Sequence, residues 1–328
     1  MSLIKLDKKS YEYNLNQIAT KAGGFERLIC VFKDNAYGHG TKLLAPITKA
    51  LGVNFIAVRN EQEAFELENI FENILILSHR PNGKENPKFI YALNEPLSID
   101  QFKKHTRIHL KIDTNMHRNG VCLENLQQVL KNASKLRLEG VFTHFSGADE
   151  MDASFFIQKQ NFQKAKDLIK KSTDLKLIFH SYNSSALFRA TKLPDDELCR
   201  VGLVQFGYGQ ENLKKVLSLY AHKISSRILK SSQSIGYGGA YTAKEDLKVA
   251  TYDLGYADGL FRFNGKGELK LANGKPILGK MSMDSFSCED LGDEICVFND
   301  VQLWAKFFNT IEYEILVKLH PNIPRIVV

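Results

Sequence analysis

With 328 residues, 44% of them hydrophobic, the chain is long enough for a large buried core and for two domains. Its net charge of +7 is spread along the sequence and not gathered into a basic stripe interleaved with aromatics, which argues against nucleic-acid binding. No apolar run reaches the length of a bilayer span, residues 1–15 lack the apolar core of a signal peptide, and the five cysteines (Cys30, Cys122, Cys199, Cys288, Cys296) form no C-x-x-C pair. The expectation is a cytoplasmic protein with free thiols, no membrane contact and no metal.

The opening residues 3–6 form a short alternating run, and 11–22 read as a helix. From residue 28 onward short apolar runs alternate with amphipathic ones. Strands are expected at 28–33, 55–58, 74–78, 89–93, 107–113, 138–145, 176–182 and 201–206, with helical patterns such as 60–70, 123–133 and 153–171 between them. Each alternation implies a right-handed crossover to a parallel neighbour. Eight strands of this kind fit an α/β fold of the (β/α)₈ barrel type better than an open sheet. Beyond residue 211 the pattern changes to strand-like runs at 217–229, 248–254 and 269–271, separated by Gly-rich turns. The division expected is a barrel over 8–212 and a β-rich domain over 213–328, joined by strand 1–7.

Barrel chemistry gathers where strands end and loops begin, and the most informative such place is Val31-Phe32-Lys33-Asp34-Asn35-Ala36-Tyr37-Gly38-His39-Gly40. A lysine at the exit of a buried strand can lose part of its hydration, which disfavours the ammonium and frees a nucleophilic amine. Taken alone it could equally be a surface lysine. The decapeptide resembles the cofactor-lysine motif of alanine racemases (KANAYGHG), with Asp34 where Ala is usual. That resemblance implies pyridoxal phosphate (PLP) held by Lys33, with Tyr37 beside it.

The other blocks extend the resemblance over nearly the whole chain. Lys111-Ile-Asp-Thr-Asn-Met-His-Arg118-Asn-Gly120 is similar to K-x-D-T-G-M-x-R-x-G. An arginine just past a strand offers a planar, two-pronged donor to a carboxylate or phenolate, and the family places it facing the cofactor phenolic oxygen and the substrate carboxylate. In some members the lysine at the Lys111 position carries a carbamate that orients this arginine. His144, in Thr143-His144-Phe145, would lie beside the cofactor ring, hydrogen-bonded to an arginine. Ser184, in His180-Ser-Tyr-Asn183-Ser184-Ser185, reads as a helix N-cap or a phosphate ligand, and the two are compatible. Gly202 and Leu203 would add backbone N–H groups. Arg200 would face the pyridine nitrogen. A guanidinium stays protonated, so it donates a hydrogen bond without handing over a proton.

In the β-rich part, Gly236-Tyr237-Gly-Gly and Gly255-Tyr256-Ala-Asp-Gly259 read first as turn motifs. The resemblance assigns Tyr237 as a second catalytic base, with Tyr256 and Met283 contacting substrate, all three completing the partner's site in a homodimer. An ordinary tyrosine pKa of about 10 is too high for a base at neutral pH, so nearby cations would have to stabilise the phenolate. The chain end departs from the family, with Pro321 where many members place a tyrosine that supports the phosphate. The activity implied is interconversion of L- and D-alanine on PLP by two bases, supplying D-alanine for peptidoglycan. A racemase acting on serine or a broader set is the enzyme alternative. A PLP-binding homeostasis protein is the non-enzyme one, although such proteins lack the second domain.

Overall fold

Eight short strands, most of them apolar runs such as Leu28–Val31 and Phe55–Val58, close on one another to take their hydrophobic side chains out of water. The computed structural model describes residues 1–328. After β1 (Leu3–Leu6), the barrel strands are β2 (Leu28–Val31), β3 (Phe55–Val58), β4 (Asn73–Ile76), β5 (Ile90–Leu93), β6 (Arg107–Lys111), β7 (Arg137–Phe142), β8 (Ile178–Tyr182) and β9 (Glu197–Val201). All neighbours are parallel, and β2 pairs with β9 (Leu28 opposite Cys199, Cys30 opposite Val201), which closes the ring. Every side chain of β2, β3 and β5 is buried, as expected for parallel strands covered on both faces.

The eighth strand differs from the expected 201–206. It runs over Glu197–Val201, and Leu203–Phe206 is instead a 3-10 turn. Gly202, at φ −109° and ψ −117°, breaks the extended path, so the apolar run after it folds back into the core. The true strand is disguised by two buried charges. Glu197 is paired with Lys166 at 3.2 Å and accepts the Ser181 N–H at 3.0 Å, while Arg200 belongs to the site described below.

The second domain is built on the long strand β10 (Leu217–Leu229), which matches the run read from sequence. The strands that follow are β11 (Ser234–Ile235), β12 (Tyr241–Thr242), β13 (Leu247–Tyr252), β14 (Ile277–Leu278), β15 (Phe286–Glu289), β16 (Glu294–Phe298) and β17 (Arg325–Val327). The main sheet has the order β14-β15-β13-β10-β1-β17, with β16 also pairing with β10. Thus the N-terminal strand lies in the C-terminal sheet, antiparallel to β10 and parallel to β17. The expected strand at 269–271 is only an isolated bridge, Lys270 to Pro276. Two helices unread in the sequence follow: Gln302–Phe307 packs Trp304 against Phe298 of β16, and Glu312–Val317 lies against the turn after β2. One apolar cluster of 87 buried residues runs from the barrel through Leu6 and Leu219 to Trp304, so the two parts share a core and hold a fixed relation.

Candidate active site

The site begins where β2 stops. Asp34, Asn35, Ala36 and Tyr37 all adopt the left-handed helical conformation, with φ of 54°, 55°, 52° and 53°. That region costs about 1–2 kcal/mol for each residue with a β-carbon, so a run of four persists only where its surroundings over-determine it. Ala36 N–H donates to the Phe32 carbonyl at 3.0 Å, Gly40 N–H to the Asn35 carbonyl at 2.9 Å, and Thr41 N–H to Asn35 Oδ1 at 2.9 Å. His39 is fully buried and stacked on Phe206 at 4.0 Å, with Nδ1 3.1 and 3.0 Å from the Ala36 and Tyr37 carbonyls. Burial pushes its pKa down to about 3, so the neutral ring places Nδ1–H on those carbonyls. Gly38 is required by close approach as well as by its φ of +81°, since a β-carbon there would lie 2.1 Å from the Leu316 carbonyl oxygen. The helix Glu312–Val317 is thereby pressed against the turn.

This turn delivers Lys33 and Tyr37 to the mouth of the barrel. Lys33 is partly withdrawn from water, its side chain 40% exposed and 3.9 Å from the Asp34 carboxylate. The turn lifts it off the strand end and into a cavity of about 600 Å³, well within the range of small-molecule sites. Lys33, Tyr37, Arg118, His144, Ser184, Arg200 and Gly202 all line that cavity. Leu203 does not, being 2% exposed with its side chain in the core. Tyr237, Tyr256 and Met283 lie outside the cavity of their own chain, exposed on the second domain at 65%, 37% and 54%.

Arg200 is the most tightly held of these groups. Nη1 donates to the His180 carbonyl and to His180 Nδ1 (2.9 Å), and Nη2 donates to the Thr143 and Ser181 carbonyls at 2.6 and 3.3 Å. Burial lowers its pKa to about 10, which leaves it fully protonated at neutral pH. Its Nε–H has no partner within the chain, and Arg200 borders the cavity. The histidine bonded to this arginine is His180; His144, which the resemblance bonded to an arginine, makes no hydrogen bond within the chain. Because Arg200 donates to Nδ1 of His180, the His180 proton sits on Nε2 and points at His109 Nδ1, 2.7 Å away. Burial holds both rings neutral, with His109 pushed to about 3 and His180 well below the usual range. His144 lines the cavity unbonded and is pushed to about 3 by burial and by the Arg200 and Arg118 charges, so it is a neutral group against any bound ring.

Five cations (Lys33, Arg59, Lys111, Arg118, Arg200) and one carboxylate (Asp34) line the cavity. Lys111 is 7% exposed and makes no salt bridge. Burial, and then the Arg118 and Arg200 charges, lower it to about 8, so part of it is free amine near neutral pH. Two residues that sequence reading missed also stand here. Arg59 follows β3 and meets Asp34 at 3.2 Å. Tyr313, from the helix Glu312–Val317, packs edge-on to Tyr37 with ring centroids 5.7 Å apart. Pro321 is exposed and does not line the cavity, so the second domain's aromatic contribution comes from Tyr313. A Tyr at the start of an amphipathic helix was the only sequence signal for it.

The donor set fits a phosphorylated aldehyde such as PLP. Gly202 N–H lies 3.2 Å from Ser184 Oγ, and a β-carbon on Gly202 would come 2.6 Å from Tyr37 Oη, so the two hydroxyls and this backbone form a cradle that only glycine leaves open. Asn183 braces it, accepting the Ala186 N–H at 3.0 Å and donating to the Phe145 carbonyl at 3.0 Å. A primary amine, the unpartnered Arg200 N–H and this cradle share one cavity with a net excess of positive charge.

Comparison with known proteins agrees with that chemistry. Residues 6–210 match the alanine racemase N-terminal domain, and residues 216–327 match the C-terminal domain. The chain is 67% identical to an alanine racemase of Campylobacter jejuni (strain 81-176), covering 100% of both chains, and 53% identical to one of Campylobacter curvus, covering 99% of both. Among solved structures, alanine racemase of Bacillus anthracis with bound L-Ala-P superposes with a TM-score of 0.88 at 25% identity, covering 100% of this chain and 95% of that one. Alanine racemase of Bartonella henselae with covalently bound pyridoxal phosphate gives 0.84 at 25% identity, covering 100% and 99%. Matched in both domains and over its full length, with a lysine-bearing cavity at the barrel mouth, the chain belongs to the alanine racemase family.

Proposed function

We propose that the chain interconverts L- and D-alanine with PLP as cofactor, Lys33 and Tyr237 acting as the two bases. The observation that carries this reading is the placing of Lys33 in one cavity with Arg200 and the Tyr37–Ser184–Gly202 cradle. Lys33 would hold the cofactor aldehyde, Tyr37, Ser184 and Gly202 its phosphate, and Arg200 its ring nitrogen. When bound, PLP withdraws electrons from the α-carbon of an amino acid joined to it and so acidifies the Cα–H.

The residues of the chain then divide the remaining work. Lys33 takes or returns the Cα proton on one side, and Tyr237 of a second subunit does so on the other. Arg200 offers a hydrogen bond without a transferable proton, so electron withdrawal stays moderate and reprotonation at Cα is favoured. Arg118 provides a two-pronged partner for the amino-acid carboxylate, while Tyr256 and Met283 narrow the entrance from the second subunit. His144, being neutral, packs against the ring without adding charge. The reading extends to a cytoplasmic homodimer whose D-alanine supplies peptidoglycan. It is supported by the exposure of Tyr237, Tyr256 and Met283 on the second domain, away from their own chain's cavity.

Purified protein supplied with PLP should convert pure L-alanine, and equally pure D-alanine, to a 1:1 mixture in D₂O, with deuterium entering Cα. Chiral chromatography with mass detection reads both quantities. Retention of the starting enantiomer without deuterium uptake would overturn the assignment.

A further inference from the structure

The one carboxylate in the cavity has a specific place in it. Asp34 Oδ2 lies 3.9 Å from Lys33 Nζ, and Asp34 Oδ1 lies 3.2 Å from Arg59 Nη1. Its own backbone is fixed from behind. Glu63 accepts the Asp34 N–H on Oε1 at 2.6 Å and the Arg59 N–H on Oε2 at 2.7 Å. Glu63 is itself set by the Asn60 cap, whose Oδ1 accepts the Glu63 N–H at 3.0 Å. One glutamate thus fastens the ends of β2 and β3 together and fixes the spacing of the Lys33, Asp34 and Arg59 side chains. The left-handed φ of 54° at Asp34 belongs to the same clamp.

A lysine that alternates between ammonium and amine needs a counter-charge in the first state that is not stranded in the second. A partly buried carboxylate left without a close counter-charge would be costly. Arg59 removes that difficulty, because a guanidinium keeps its charge throughout and remains with Asp34 when the lysine lets go. We propose that Asp34 is a positioning residue for Lys33, a carboxylate shared with Arg59 that holds the lysine ammonium at the cavity wall and releases the amine for work. This rests on Lys33 being the cofactor lysine.

Sharing has a testable consequence. Taking away Asp34 frees Lys33, whereas taking away Arg59 gives Lys33 the whole carboxylate. The full-length protein, freed of cofactor with hydroxylamine, is treated with trace acetic anhydride at constant pH. Acetylation of Lys33 is read by peptide mass spectrometry against the exposed Lys9 and Lys164 as internal standards. Asp34→Asn should label Lys33 about two- to fivefold faster than wild type, the range a partly exposed ion pair supports, and Arg59→Gln should label it slower by a similar factor. A turn merely loosened by mutation would speed labelling in both. Wild-type rates in Asp34→Asn, or shifts of the same sign in the two variants, would overturn the proposal. Should Asp34→Asn not fold, Arg59→Gln decides alone, with unchanged or faster labelling counting against it. The family reading is checked separately in wild type by borohydride fixation of PLP. A label absent from Lys33 would defeat that reading, whereas a label on Lys33 with unshifted acetylation defeats only the role of Asp34.

Discussion

Lys33→Ala should lower alanine racemisation by about 10³-fold or more. A single group that moves a proton in the transition state contributes about 10²–10⁴-fold, and in the proposed reading the same side chain would also anchor the cofactor. Loss through unfolding is separable from this effect. The side chain is 40% exposed, and its one ion pair in the chain is the 3.9 Å contact with Asp34, so stability should stay within about 0.5 kcal/mol of wild type. The left-handed turn is held by backbone, Asn35 and His39 bonds that do not involve the Lys33 side chain. Thermal unfolding and chiral chromatography on the same sample test both halves. Borohydride reduction of wild type with PLP should leave the pyridoxyl group on Lys33, and on no other lysine in a peptide map. A label elsewhere, or racemisation retained in Lys33→Ala, would contradict the assignment.

Arg200→Glu should have the second-largest effect, and of a different kind. With a carboxylate at that place the cofactor nitrogen can share a proton, and the ring becomes a stronger electron sink. A transamination side reaction would then compete with return of the proton to Cα, the cofactor keeping the amino group and its reducing equivalents as pyruvate leaves. Pyruvate formed per racemisation event should rise by roughly tenfold or more, which requires a change of only about 1.4 kcal/mol in relative barriers. Racemisation itself should fall steeply. Stability also suffers, because the guanidinium serves three carbonyls and His180 Nδ1, and a carboxylate would face those acceptors. About 3–5 kcal/mol is the usual cost of breaking a buried charge arrangement of this sort. Arg200→Lys is the control: it keeps the cation but loses the planar fork, so it should slow racemisation without raising the pyruvate ratio. Equal ratios in the Glu and Lys variants would remove Arg200 from the cofactor nitrogen.

The barrel was legible because apolar runs such as 28–31 and 55–58 are buried on every residue, a pattern that needs no alignment to read. The lysine motif was legible because its spacing is rare. What escaped the sequence shares a physical cause, namely dependence on partners far along the chain. β9 was displaced because Glu197 and Arg200 are buried charges whose compensation comes from Lys166, Ser181, Thr143 and His180. The left-handed run at 34–37 contains no glycine, and nothing local announces it. Besides the local bonds of Asn35 and His39, it depends on Phe206 stacked on His39 and on the helix Glu312–Val317 pressing on Gly38, both far along the chain. Tyr313 reaches Tyr37 across most of the sequence. That Arg200 bonds His180, and that His144 bonds no arginine, turns on side-chain geometry within the barrel, which strand spacing does not reveal.

The central claim, that Lys33 and Tyr237 act together across two subunits, is tested most directly by mixing inactive variants. Lys33→Ala and Tyr237→Phe homodimers should each racemise poorly. Hybrids formed by subunit exchange carry one intact site and one doubly defective site. A random 1:1 mixture should therefore recover about a quarter of wild-type activity, since half the dimers are hybrids and half their sites are whole. Absence of recovery, with hybrid formation confirmed by native mass spectrometry, would contradict a site shared between chains.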